Sequence, residues 1–342
     1  MNAFTSVKSV TVILVIAAAW LYGFTSMVMD RPVSLPSGES SPIVWHIKKG
    51  SNLDQVSKNL SFENILSQPR LVYFYARAIN QIDIKAGEYW IEDGDTPRSL
   101  LEKFNNGKVI QRSITFPEGW SFIQWINHMS AIEQFSSELD IDELIASLSI
   151  KQQSPEGLFF PDTYSYTQSD SVIDVLNVAY AKMNKILADE WKLRAPDLPY
   201  DTPYEALIMA SIIEKETGLI SERSDISGVF MRRLKLGMRL QTDPTVIYGL
   251  GRNFDGDLKR SDLKNYSSYN TYMINGLPPT PIAMPSSGAI RAALHPGKGS
   301  SLYFVARGDG GHYFSDTLEE HSRAVKRFQI DKRAKNYQSS PN

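Results

Sequence analysis

Two glutamates open the search for chemistry. In the run EALIMASIIEKET, Glu214 and Glu216 lie two positions apart near the end of a predicted helix. Its start is marked by Thr202-Pro203-Tyr204-Glu205, where Thr caps, Pro takes the first helical position and Glu closes a capping box. Gly218 stands where a helix commonly stops. At 100° per residue, Ile208, Met209, Ile212 and Ile213 share an apolar face, and Glu216 falls near its centre. Glu214 falls roughly opposite, beside Leu207, Ala210 and Ser211, so the two carboxylates cannot serve one site as a pair. A carboxyl group pressed against apolar surface has its pKa raised, and a carboxylic acid still protonated near neutral pH can donate to a leaving oxygen. Glu216 has that placement. The competing reading is a glutamate that leaves a helix end into water, and helix geometry by itself favours it.

Other residues offer polar contacts around such an acid. Gln241, Thr242 and Asp243, in the run LQTDPTVIYG, are candidates to orient a polar substrate. Thr242-Asp243-Pro244 is equally good capping chemistry. Asn270, between Tyr269 and Tyr272, offers an amide to a substrate carbonyl or a turn to the backbone. Tyr248, Tyr269 and Tyr272 offer ring faces to a substrate, against the commoner role of aromatics in cores. Phe159, Phe160 and Tyr164 carry the same ambiguity, and Glu156 and Asp162 are too generic to assign. The histidines His46, His128, His295, His312 and His321 lack metal-ligand spacing and read as structural or surface residues. Gly308-Asp309-Gly310-Gly311 precedes a predicted strand and reads as a turn, not a dinucleotide fingerprint. No G-x-S-x-G, phosphate-binding loop or cysteine site occurs, and neither a cofactor nor a metal is expected.

The chain that must position these groups has 342 residues, enough for two or three domains. At 42% hydrophobic and 22% charged it is globular. A net charge of -2 with scattered Lys and Arg argues against nucleic acid, and the absence of cysteine excludes disulfides and thiolate chemistry. Val10 to Met29 is uncharged and almost wholly apolar, long enough to cross a bilayer. Lys8 precedes it and Asp30-Arg31 follow. Ala17-Ala18-Ala19 sits mid-run, so an uncleaved anchor fits better than a signal peptide.

The expected organisation is a cytoplasmic N-terminus over 1–9, an anchor over 10–29 and a Pro/Ser/Gly-rich linker over 30–42. A small α+β module over 43–114 and a mixed α/β catalytic domain over 115–331 follow, then a flexible tail over 332–342. In the module, strands are predicted at Ile43–Ile47 and Gly87–Ile91. Leu53, Val56 and Leu60 recur at helical spacing, a helix from Pro69 carries Leu71, Phe74 and Ile79 as its apolar residues, and a further helix runs from Thr96-Pro97 to Gly107. Beyond it, Ser121 with Gln124 and Asp140 with Glu143 are predicted helix starts. Pro155 to Tyr166 reads as an aromatic loop, and Val172, Leu176, Tyr180, Met183 and Ile186 mark a long amphipathic helix.

The order ASIIEKET, LQTDPTVIYG, Tyr269-Asn270-Thr271-Tyr272, Gly276-Leu277-Pro278-Pro279, His295-Pro296, Leu302–Val305 and Gly310–Phe314 closely resembles the endolytic murein transglycosylase, or YceG-like, family. Gly157–Tyr164 and Lys85-Ala86-Gly87 continue the match upstream. The resemblance spans almost the whole chain. It implies an α+β protein with a transmembrane helix, a LysM-like module and a mixed α/β catalytic domain. It further implies a lyase in the cytoplasmic (inner) membrane, with its catalytic domain on the periplasmic or extracytoplasmic side. Such an enzyme cleaves the β-1,4 bond from N-acetylmuramic acid to N-acetylglucosamine inside peptidoglycan glycan strands without adding water, leaving 1,6-anhydro ends. The family's catalytic Glu lies in this helix, and Glu216-Thr217 fits the pattern of Glu followed by Ser or Thr, where Glu214-Lys215 does not. The expected partners are glycan strands, the membrane and peptidoglycan synthases, with termination or trimming of nascent strands as the outcome. A non-catalytic glycan-binding scaffold and a muramidase that uses water are the rival readings.

Overall fold

The structure, a computed structural model, describes residues 2–35, 41–136, 141–148, 150–152 and 154–331. The tail expected over 332–342, part of the expected linker (36–40) and the helix start at Asp140 lie outside these residues. Backbone contacts divide the chain into two units, Met1–Arg112 with Ser165–Asp170, and Ser113–Tyr164 with Ser171–Asn342.

The first unit begins with α1 (Asn2–Met29). Its stretch Thr11–Met29 is apolar and almost wholly exposed, and among the described residues it alone is long and apolar enough to cross a membrane. Strand β1 (Ile43–Ile47), helices α2 (Leu53–Phe62) and α3 (Pro69–Ala78), strand β2 (Gly87–Ile91) and helix α4 (Pro97–Asn106) follow. β1 and β2 pair antiparallel with Trp45 opposite Tyr89. Thr96 caps α4 through the Ser99 amide, and Gly107 ends it at φ 65°, a left-handed position that a side chain resists. Leu53, Val56, Leu60, Leu100, Leu101 and Phe104 build the core.

Of the apolar residues noted from Pro69 onward, Leu71 is half-buried, and the residues that α3 buries are Val72 and Ala76. Phe74 stays 65% exposed and Ile79 42% exposed. In the described part of the stretch read as a linker, the Val33 amide donates to Asp95 O at 2.7 Å, and Val33 and Leu35 pack on the core.

In the second unit, β3 (Arg112–Thr115) pairs with β4 (Thr163–Tyr166), so the segment read as a loop ends in a strand. Helices α5 (Phe122–Ser130), α6 (Ile141–Ser147), α7 (Val172–Lys192), α8 (Pro203–Glu216), α9 (Arg223–Lys235), α10 (Asp243–Leu250) and α11 (Ser287–Leu294) follow in chain order around β4. Strands β5 (Tyr303–Ala306) and β6 (His312–Ser315) form an antiparallel hairpin, and α12 (Leu318–Val325) comes last among the α-helices. The expected capping boxes at Ser121 and Thr202 are both present. Phe159, Phe160 and Tyr164 are buried.

From Ala206 through Ile213 every residue of α8 is buried, and all are apolar except Ser211, whose hydroxyl donates to Ile208 O and accepts the Ile282 amide. A helix of that kind belongs inside a core, not on its edge. Ala289, Ala292 and Ala293 of α11 are buried where α11 packs on α8, and small side chains permit that close approach. The end of α8 is therefore rigidly held, and both of its terminal glutamates emerge into protein instead of water.

Candidate active site

The helix α8 stops at Glu216 because Thr217 turns extended, at φ -146° and ψ 134°. The stop expected at Gly218 is met, with Thr217 as the cap residue and Gly218 just beyond it, although Gly218 does not take a left-handed conformation. From this end the two glutamates diverge, as their 200° separation requires.

Glu214 points into a buried polar cluster. Its carboxylate accepts from Arg223 Nη2 at 2.9 Å, from the Ser286 amide at 2.9 Å and from the Ser286 hydroxyl at 2.5 Å. Arg223 also donates to Ser286 Oγ at 2.6 Å, and both charged side chains are almost fully covered. This ion pair ties α8, α9 and α11 together, with Arg223 Nε buried and without a hydrogen-bond partner.

Glu216 points the other way, to the floor of a cleft of about 600 Å³. Burial pushes its carboxyl up to about 7, with the nearby Asp243 charge adding to the rise. A hydrogen bond from the Thr242 hydroxyl and the charge of Arg233 act in the opposite direction. Thr242 is the N-cap residue of α10, yet its side chain makes no cap bond. The hydroxyl is spent on Glu216 instead, so capping chemistry and site chemistry compete for one oxygen and the site takes it.

Buried threonines hold that hydroxyl in place. The Thr242 amide donates to Thr271 Oγ1 at 3.0 Å, Thr245 Oγ1 donates to Thr242 O at 2.8 Å, and Thr245 and Thr271 share a hydrogen bond of 2.8 Å. Gln241, just before, is exposed with φ 50°, a strained value for a non-glycine residue and one often found beside functional groups. Sequence reasoning missed Thr245 and Thr271. Their signal was available, since each is a threonine inside one of the two motifs already singled out.

Of the predicted site residues, Glu216, Gln241, Asp243 and Tyr272 line the cleft, and Thr242 lies directly beneath it. Tyr272 donates its hydroxyl to Asp243 Oδ1 at 2.6 Å. Tyr248 and Asn270 are placed elsewhere. The Tyr248 ring packs on Tyr269 with centroids 5.0 Å apart, and its hydroxyl donates to Glu156 Oε2 at 3.1 Å. Asn270 is 1% exposed, its amide donates to the carbonyls of Asp262, Leu263 and Asn265, and its oxygen accepts the Tyr272 amide at 2.9 Å. Both side chains are committed to the scaffold, and Asn270 shapes the turn that delivers Thr271 and Tyr272.

The opposite wall was not predicted. Arg233 donates to Leu302 O at 2.6 Å and Leu240 O at 2.7 Å, with its guanidinium 5.0 Å over the Tyr303 ring. His321 stacks on the same ring, and burial with the Arg233 charge holds its pKa below the usual histidine value. His312, read from sequence as structural or surface, lines the cleft and is fixed by Glu222 Oε2 at 2.8 Å from Nδ1. The result is a trough with an acid on its floor, hydroxyl and amide groups on one side, and tyrosine and imidazole faces on the other. Such a lining suits a polyhydroxylated, weakly apolar chain.

The model of the YceG-like family matches residues 45–327. The endolytic murein transglycosylase of Bacillus subtilis (strain 168) is 29% identical over 344 residues, covering 94% of this chain and 93% of its own. The protein of the same name from Streptococcus pneumoniae serotype 2 (strain D39 / NCTC 7466) is 27% identical over 356 residues, covering 93% of this chain and 64% of its own. The crystal structure of a yceG-like protein from Listeria monocytogenes, at 30% identity, superposes with a TM-score of 0.51 over 83% of this chain and 99% of that one. With the family model spanning most of its length, this chain belongs to the YceG-like family.

Proposed function

We propose that this protein is a membrane-anchored endolytic lytic transglycosylase with Glu216 as its single acid/base. The observation that carries the reading is the buried Glu216 carboxyl, poised near neutrality at the floor of an open trough. It gains support from relatives named endolytic murein transglycosylase. Glu216 protonates the glycosidic oxygen as the bond from C1 of N-acetylmuramic acid breaks. The resulting carboxylate then takes the proton of the same sugar's C6 hydroxyl, and O6 closes on C1. One proton leaves Glu216 and one returns, no water enters, and a 1,6-anhydro end remains. The nucleophile is tethered, so its effective concentration is high without an activated water. The α1 helix serves as the anchor and the catalytic unit faces the extracytoplasmic side. The strand-helix-helix-strand order of β1, α2, α3 and β2 supports a LysM-like reading of the first unit. Action beside peptidoglycan synthases, ending nascent strands, follows from the same reading.

A second reading has one observation in its favour. Sequence reasoning found no second acid, yet Asp243 lines the same trough. A hydrolase divides acid and base or nucleophile roles between two carboxyl groups. Mass analysis of products from the purified protein on peptidoglycan separates the readings, because an anhydro end is lighter than a reducing end by one water. Anhydro products are expected, reducing ends would establish the muramidase, and no product from any glycan substrate would leave a binding scaffold.

Thr242→Val tests the contact beneath the acid. The Thr242 hydroxyl stabilises the ionised form, so its loss raises the Glu216 pKa further and makes the group a weaker acid toward the glycosidic oxygen. The expected result is an alkaline shift of the pH–activity profile and a roughly tenfold lower turnover, the equivalent of one hydrogen bond to a charged group. A profile that does not move would remove Thr242 from this role.

A further inference from the structure

We infer that the exposed face of α3 is a second membrane contact, lying in the headgroup layer of the bilayer that α1 crosses. This rests on the reading of α1 as a membrane span. The junction between α1 and the first unit carries the argument. Met29, the last residue of α1, is fully buried in that unit's core. Asp30, the next residue, accepts from Arg98 Nε at 2.7 Å and Nη2 at 3.2 Å. Arg98 also bonds the Tyr75 hydroxyl and lies 5.0 Å over the Tyr75 ring. Tyr75 belongs to α3 and Arg98 to α4, and α1 packs on both helices.

Thr25, Ser26 and Val28 are already partly covered, so the unit reaches beside the last turn of the apolar helix. At 1.5 Å per residue, that turn lies within roughly 6 Å of the end of the span. No flexible spacer lifts α3 away from the lipid surface.

The chemistry of α3's outer face matches that location. Arg70, Phe74 and Arg77 are exposed and fall on one side at helical spacing, with Ala78 beside Phe74. Phe74, 65% exposed, has no core to enter, and Ile79 and Ile82, each 42% exposed, follow it. An aromatic set between arginines is the composition of an interfacial helix: the ring enters the acyl boundary while the guanidinium groups meet anionic headgroups. The proposed occupant is therefore an anionic lipid surface.

The chain has no cysteine, so single labelled positions can be introduced without background. The test is spin-label accessibility in the full chain reconstituted into vesicles of phosphatidylcholine with phosphatidylglycerol, with Ala78→Cys as the probe and Leu14→Cys in α1 as reference. The expected result is oxygen accessibility exceeding that of a water-soluble nickel chelate at both positions, deeper at 14 than at 78. Arg70→Glu with Arg77→Glu, or vesicles without phosphatidylglycerol, is expected to shift the residue-78 label toward water and leave residue 14 unchanged. A residue-78 label that reads as aqueous while residue 14 reads as buried in lipid overturns the proposal and spares the anchor. An aqueous residue-14 label overturns both. Spin–spin broadening at 78 assigns the face to a second copy of this chain instead, and a label insensitive to the arginine reversals removes the electrostatic part.

Discussion

Glu216→Gln is expected to abolish turnover on peptidoglycan, by roughly 10²- to 10⁴-fold, the range that a positioned general acid–base group contributes. Gln keeps the shape and still accepts the Thr242 hydroxyl, but it cannot give and recover a proton. The loss should fall on turnover and spare glycan binding, because no contact with the strand is removed. The same variant carries an internal control for folding. The Glu216 carboxyl is raised to about 7 from an ordinary value of 4.5, so the unfolded chain ionises it first. A carboxyl raised in this way contributes stability that is fully present below pH 4.5 and is lost as pH rises through 7. The cost at higher pH is on the order of 3 kcal/mol at most. Gln does not ionise, so the variant should match the wild type in acid and equal or exceed it in stability above pH 7. An inactive protein that is also less stable at pH 8 would point to misfolding, and full activity would move the acid elsewhere.

Glu214→Ala should do the opposite, with its main effect on the fold. It leaves the buried Arg223 guanidinium with only the exposed Glu118 carboxylate, 3.9 Å away, as counter-charge, and Ser286 loses its acceptor. Breaking one side of a covered ion pair typically costs about 3–5 kcal/mol, because the remaining charge is neither hydrated nor paired. In a unit of this size that corresponds to a melting temperature lower by roughly 6–20 °C. Glu214→Leu with Arg223→Met, which removes both charges and keeps the volume, should recover a large part of the loss. A single variant within about 0.5 kcal/mol of wild type would show that the pair does not hold α8 to α9. Thermal or urea unfolding measures each case, and the contrast with Glu216→Gln separates a structural glutamate from a chemical one two residues away.

What the sequence made legible was local. Thr202, Ser121 and Thr96 announced helix starts through bonds that span three residues. The 200° divergence of Glu214 and Glu216 needed only the helical repeat, and it survives as two different sets of partners. Long-range contacts were not legible. Thr242 reaches Glu216 across 26 residues, and Tyr248 reaches Glu156 across 92, so no local pattern distinguishes either from a cap or a core ring. Glu156 looked generic, yet it is buried, is raised to about 7 by that burial, and accepts the Phe122 amide at 3.0 Å. The wall of Tyr303, His312 and His321 needed the hairpin of β5 and β6 to exist before it could be seen. Phe74 is a different case: periodicity finds an apolar residue but not which neighbour covers it.

The termination of α8 at Glu216 has an electrical consequence. The unsatisfied carbonyls at a helix C-terminus carry partial negative charge, and the free amides at an N-terminus carry partial positive charge. Glu216 is the last residue of α8 and is bonded by the N-cap residue of α10, so its carboxyl stands between the negative pole of one helix and the positive pole of another. The first pole disfavours the anion and the second favours it, each by about 0.3–1 kcal/mol. Opposed fields of similar size largely cancel, which leaves burial to set the carboxyl near 7, where its two protonation states have nearly equal free energy at neutral pH. That is the condition under which one carboxyl can release a proton and reclaim it within a single catalytic cycle, with no partner base to share the work.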